Sequence, residues 1–166
     1  MVPVVDSNNK PLMPCTERRA RRMVEVRKAT SFWSFGIWCV RLNVEPSARN
    51  LQDVACGIDP GSKREGFTVK SKEKTFINVQ SHAVSWVKSK VDVRRNLRRS
   101  RRFRRTPCRQ PRWANRLNRN HSLPPSTKAR WQLKLRILNR LLRLYPIKIV
   151  VIEDCSAPVN RGRRWN

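Results

Sequence analysis

Two histidines, His82 and His121, are all that this chain of 166 residues carries. Its five cysteines stand at 15, 39, 56, 108 and 155, and no two of them form a CxxC pair. Zinc-ligand spacing is therefore missing. An odd, scattered set of thiols suits a reducing compartment, the cytoplasm of a bacterium or an organelle, and each reads as a small buried or exposed thiol. No apolar run approaches the roughly 20 residues that span a bilayer. The closest, FWSFGIWCV at 32 to 40, is too short, so no membrane partner is expected. The opening MVPVVDSNNK has neither a charged n-region nor a long h-region, so no secretory signal is visible. No internal repeat is visible either.

The scarcest commodity is negative charge. Eleven Asp and Glu face 38 Lys and Arg, for a net charge of +27 and a pI near 11.7. Self-repulsion on that scale opposes compaction unless counterions or a polyanion relieve it. Nucleic acid is the default partner, because neutralised phosphates release their counterions; an anionic membrane surface is the competing one. Hydrophobic residues make up 39%, and six Trp and five Phe need somewhere to pack. The expectation is a modest core surrounded by arginine.

Along the chain, VPVV at 2 to 5 reads as a short strand. DSNNKPLMP follows as a turn-rich stretch in which Asn8-Asn9 can turn a hairpin. Thr16 can cap a basic helix, TERRARRMVEVRK, with Glu17 in its first turn. Residues 32 to 44 read as one strand, and the polar stretch 45 to 53 as a linker. The expected organisation is thus a small N-terminal module, 1–50, and a main domain, 51–166. VACGID at 54 to 59 suits a buried strand, and GFTVKS and KTFINVQS suit two more. Residues 84 to 105 turn helical, and Pro107 and Pro111 end that pattern. A second amphipathic helix is predicted from about Pro125 to Tyr145, with Trp131, Leu135, Leu138, Leu141, Leu142 and Tyr145 near a 3.6-residue period. IKIVVIED at 147 to 154 reads as a buried strand ending in two acids. Three meandering strands, then helix and a parallel strand, make an α/β opening of RNase H-like type.

The stretch RRNLRRSRRFRR at 94 to 105 holds eight arginines in twelve residues. On a helix turning about 100° per residue, Arg94, Arg95, Arg98, Arg99, Arg101, Arg102 and Arg105 fall within roughly half the circumference. Val93, Asn96, Leu97, Ser100 and Phe103 share the remainder, a thin side able to touch protein. Stacked like charges repel unless anions sit between them, and the planar guanidinium fork fits phosphate bidentately. A solvated charge face is the bland alternative, disfavoured by the near-absence of acids to pair. Phe103, Trp113 and Trp131 can stack bases or serve as core.

Two acids end apolar strands: Asp59 in GIDPGSK and Glu153 in VVIEDC. Neighbouring strands would bring them together, and two close carboxylates call for a cation. Mg²⁺ takes oxygen ligands and keeps positions open for phosphate oxygens. Asp59 before Pro-Gly can equally be a turn residue, and Asp154 is an alternative ligand. The spacing GxxxxGK[ST] of a phosphate loop is missing, although Ser62 and Lys63 can still touch a phosphate.

Taken together, PLMP at 11 to 14, IDPGSKREG at 58 to 66, RRNLRRSRRFRRTPCRQPRW at 94 to 113, LPPS at 123 to 126 and VVIED at 150 to 154 occur in a familiar order. The chain resembles the N-terminal half of the IscB and IsrB proteins, transposon-encoded RNA-guided nucleases, and the RRXRR domain named after its arginine motif. The resemblance implies a PLMP module over 1–50, an incomplete RuvC domain of RNase H-like fold over 51–166, and a bridge helix at about 84–105. It implies that Asp59 and Glu153 are catalytic carboxylates binding Mg²⁺ or Mn²⁺. It also implies that the arginine run, in the matched segment that holds Arg109 and Arg112, grips a guide-type non-coding RNA paired to a DNA target; Lys63 joins these as a nucleic-acid contact on the reading of its turn. The family's third nuclease segment, with a late His and Asp, and its HNH module are not found before Asn166. The expectation is a fragment or truncated relative with little cleavage by itself. A non-catalytic RNA-binding protein and a basic ribonucleoprotein component are the rival readings.

Overall fold

The computed structural model describes residues 1–46, 49, 51–105 and 123–154, with Arg105 described by its backbone alone. The fold is mixed α/β, with eight strands in two four-stranded sheets and three helices among the described residues. The chain falls into two compact units: Met1–His82 with the chain from Asn139 onward, and Ala83–Leu138.

The first sheet has the order β2-β1-β4-β3, with β1 Val2–Val5, β2 Pro11–Cys15, β3 Ala29–Ser34 and β4 Ile37–Leu42. β1 and β4 run parallel at its centre, and antiparallel partners flank them. Asp6 shapes the β1–β2 turn. Its backbone N–H donates to the Lys10 carbonyl at 3.0 Å, and its carboxylate accepts the Lys10 N–H at 2.7 Å and Arg49 Nη2 at 2.8 Å. Asn9, at φ 60°, occupies the left-handed corner that Asn tolerates. Sequence patterning reads PLMP as turn, yet it forms β2. Proline lacks a ladder donor and is confined to sheet edges, and β2 is an edge strand bonded to β1 alone.

α1, Glu17–Glu25, starts where the Thr16 hydroxyl accepts the Arg19 N–H at 3.4 Å. It stops three residues before the pattern suggests. Arg27 adopts φ 56°, its N–H bonds the Val24 carbonyl, and the Lys28 N–H reaches back to Met23. This is a helix-ending left-handed cap, usually built on glycine. Residues 32 to 44, expected as one strand, divide into β3 and β4. Phe35 at φ 54° and Gly36 at φ 78° form a two-residue turn with positive φ at both central positions, the twist that hairpins favour. Val2, Val4, Leu12, Ala20, Ala29 and Val40 close a small core between α1 and the sheet.

The second sheet has the order β7-β6-β5-β8, built from β5 Val54–Asp59, β6 Arg64–Ser71, β7 Thr75–His82 and β8 Ile147–Ile152. The first three form an antiparallel meander, and β8 joins β5 in parallel. Val54, Cys56, Ile58, Phe67 and Val69 alternate into one buried face. Helix α3, Pro125–Leu144, leads into β8. Of its apolar stripe Leu141 and Tyr145 are buried, with Leu144 beside them, Leu138 is partly buried, and Trp131, Leu135 and Leu142 are exposed. Tyr145 stacks on Phe76 with ring centroids 6.3 Å apart. The expectation of a buried strand at 147 to 152 is corrected. Ile149, Val150, Val151 and Ile152 are all exposed: β8 is an edge strand, and neither of its faces is covered among the described residues.

α2, Val87–Arg105, lies in the other unit. Among the described residues no helix is long and apolar enough to cross a membrane.

Candidate nucleic-acid interface

α2 opens where the Trp86 carbonyl accepts the Lys90 N–H at 3.2 Å and the Ser89 hydroxyl at 2.8 Å. From Val93 to Arg104 every side chain is exposed. Arg94, Arg95, Arg98, Arg99, Arg101 and Arg102 therefore project from one side of the helix into solvent. Asp92 is the helix's one acid, and it meets Arg95 at 3.8 Å. Arg104, on the opposite side, donates to Ser100 Oγ at 3.3 Å. The arginines crowd the C-terminal half, where the helix dipole favours cations. That effect is worth less than about 1 kcal/mol per exposed charge and falls off within the last turn, so it does not reach Arg94, Arg95, Arg98 and Arg99.

The thin side, read as able to touch protein, is open among the described residues. Val93 and Leu97 are half-exposed and Phe103 is 74% exposed. Trp131 is also open, with the Lys134 ammonium 5.5 Å from its ring centre. Arg109, Arg112 and Trp113 lie outside the described residues, as does the Arg105 side chain.

The two strand-end acids belong to the second sheet. Ile58 and Ile152 are register partners on parallel β5 and β8, and the Glu153 N–H donates to the Ile58 carbonyl at 3.1 Å. Asp59 and Glu153 thus leave adjacent strands at the same end of the sheet, both exposed. Gly61 shapes the turn beside Asp59. Its N–H bonds the Asp59 carbonyl at 3.1 Å, and a Cβ on it would lie 1.8 Å from the Arg64 carbonyl oxygen. Only glycine fits there, which keeps Asp59 at an open strand end and leaves Ser62 and Lys63 exposed on the turn. Gly66, opposite Asp59 in register, adds no side chain next to the carboxylate; a Cβ there would sit 3.6 Å from Asp59 Cβ.

A third carboxylate escaped the motif-based reading. Glu65 is 1% exposed on the opposite, buried face, in phase with Phe67 and Val69. The alternation in REGFTV is the signal that places it inward. Oxygen donors on a solvent-open strand end fit a hard cation such as Mg²⁺ in kind. In number they are few: among the described residues no three His, Cys, Asp or Glu side chains converge on one point.

The family model for RRXRR protein matches residues 2–162. Comparison with curated proteins gives no match.

Proposed function

The chain belongs to the RRXRR family, and on that premise we propose that it is a nucleic-acid-binding protein related to the N-terminal half of the RNA-guided IscB and IsrB nucleases. The observation that carries the reading is α2: six described arginines on one exposed side with a single acid to pair them. Such a surface is satisfied by a run of phosphates spaced along a strand. In this reading α2 is a bridge helix. It holds the backbone of a guide-type RNA, while base pairing between that RNA and a DNA target reads sequence. The strand order β7-β6-β5-β8, a meander extended by a parallel strand, supports an RNase H-like sheet.

Asp59 and Glu153 would hold Mg²⁺ or Mn²⁺. Such an ion supplies charge neutralisation at a phosphate oxygen and a lowered pKa for a bound water. The two carboxylates contribute anionic oxygen donors at one strand end, and Lys63 on the neighbouring turn can meet a phosphate. Binding without strand cleavage is a second reading, favoured by the want of a third converging ligand among the described residues.

The test is the salt dependence of RNA binding. Replacing Arg98, Arg101 and Arg102 together by alanine lowers the log–log slope by about 0.7 to 0.9 per lost phosphate contact; an unchanged slope removes α2 from the interface. Asp59→Asn abolishes Mg²⁺ binding measured by calorimetry and leaves RNA affinity intact. Equal Mg²⁺ binding in the variant would remove Asp59 as a ligand.

A further inference from the structure

Residues 18 to 22 read RRARR, and the same R-R-x-R-R spacing returns in α2 at 98 to 102 and 101 to 105. On α1 the spacing meets a frame that α2 lacks. Ala20, its middle residue, is 0% exposed in the core of the first sheet, and Met23 and Val24 pack beside it. Ser100 and Phe103, the middle residues on α2, are exposed. At about 100° per residue, Arg18 and Arg22 lie about 40° apart and about 160° from Ala20. Arg19 and Arg21 fall on the two flanks. The burial agrees, because all four arginines are exposed. One anchored alanine therefore sets Arg18 and Arg22 on the same outward line, one helical turn apart.

The arginines differ in what they meet. Arg21 is paired with Glu17. Among the described residues no acid, Glu25 included, meets Arg18 or Arg22. Like charges at i and i+4 oppose a helix, and here the Thr16 cap and the buried face hold the helix against them. An anion seated between the two guanidinium groups removes that opposition.

The kind of anion follows from what the outer side lacks. Ala20, Met23 and Val24, the apolar residues of α1, pack on the core. Glu17, Arg18, Arg19, Arg21, Arg22 and Glu25 make up the rest of the helix, and all six are exposed. A protein interface is built around a centre poor in charge and rich in apolar and aromatic groups, and this side offers none. Interfaces with nucleic acid are polar and strongly cationic. Arg18 and Arg22 stand about 6 Å apart along the helix axis, close to the separation of successive phosphates on one strand. Each planar guanidinium can fork onto one phosphate.

We infer that α1 is a second phosphate-binding face of this protein, on which Arg18 and Arg22 hold two successive phosphates of a nucleic-acid strand. The inference rests on the nucleic-acid reading above but names a different helix, in the other compact unit, with its own arginines.

The experiment is binding of one mixed-sequence RNA by the full chain across a salt series. Arg18→Ala with Arg22→Ala lowers the log–log slope by about 1.4 to 1.8, the loss of two phosphate contacts. Alanine favours the helix, and circular dichroism checks that the fold is kept. Lys72→Ala with Lys74→Ala removes the same two charges from the exposed β6–β7 turn and leaves the slope unchanged. Arg18→Lys with Arg22→Lys keeps the slope but weakens binding, because an ammonium cannot fork. An unchanged slope for the α1 alanine pair, or an equal fall for the lysine control, overturns the inference. An unchanged RNA slope with weakened binding of poly-L-glutamate would assign Arg18 and Arg22 to an acidic protein instead. A fall for the α1 pair with no change for the α2 triple variant sinks the α2 reading and keeps α1. The reverse sinks α1 alone, and a wild-type chain that binds no RNA sinks both.

Discussion

At the scale of single residues, Tyr145 shows how the small core is built. It is fully buried, stacks on Phe76, and its hydroxyl has no hydrogen-bond partner among the described residues. Burial pushes that hydroxyl's pKa far up, with Cys39 adding to the rise; burial likewise pushes the Cys39 thiol up to about 11. Neither group ionises near neutrality, so both act as packing. An unpartnered buried hydroxyl costs about 1–3 kcal/mol. Tyr145→Phe is therefore neutral or stabilising in a denaturant melt, whereas Tyr145→Ala loses about 3–5 kcal/mol. A large loss in the phenylalanine variant would reveal a bond for the hydroxyl. Asp6 is the contrasting buried polar group. Burial raises its pKa, but the Lys10 amide and Arg49 outweigh that, and its carboxyl ends below the usual value. Its contribution to stability is present above the ordinary carboxyl pKa of about 4. It fades as pH falls through the lowered value.

At the scale of elements, local chemistry was legible where one residue type does one job. Thr16 before an acid marks a helix start, and Thr16 caps α1. The same approach missed the hairpin at Phe35-Gly36 and the cap at Arg27, because both place a non-glycine residue at positive φ and tertiary contacts decide whether that is tolerated. α2 is legible as a helix and as a cationic face. Its apolar side was not, since whether Val93, Leu97 and Phe103 are covered depends on what lies beside them. Six like charges stacked three and four apart oppose the helix by a few tenths of a kcal/mol per pair. Adding inorganic polyphosphate should deepen the 222 nm circular-dichroism signal, and high salt should do so more weakly. An unchanged spectrum would mean α2 is as helical without anions as with them.

At the scale of the whole chain, a net charge of +27 on 166 residues is a statement about partners before it is one about fold. Composition alone points to a polyanion, and the ordered motifs alone point to the family. Asp59 and Glu153 were legible because each ends an apolar run, where burial would otherwise be wasted. The order of meander, helix and parallel strand already predicts that they leave neighbouring strands together; the register that aligns them, Ile58 with Ile152, is set only by the parallel pairing of β5 with β8, residues separated by most of the domain. Pairing between distant segments is set by which faces can be buried at once, and no local window of sequence holds that information. The same reason explains β8. Its run of Ile and Val looks buried by composition, yet at the sheet edge neither of its faces is covered among the described residues. Helix starts, charge and the identity of the strand-end acids were written in local order, because each depends on residues a few positions apart. Register, edge position and the exposure of β8 were decided by the tertiary structure, because each depends on what the rest of the chain leaves uncovered.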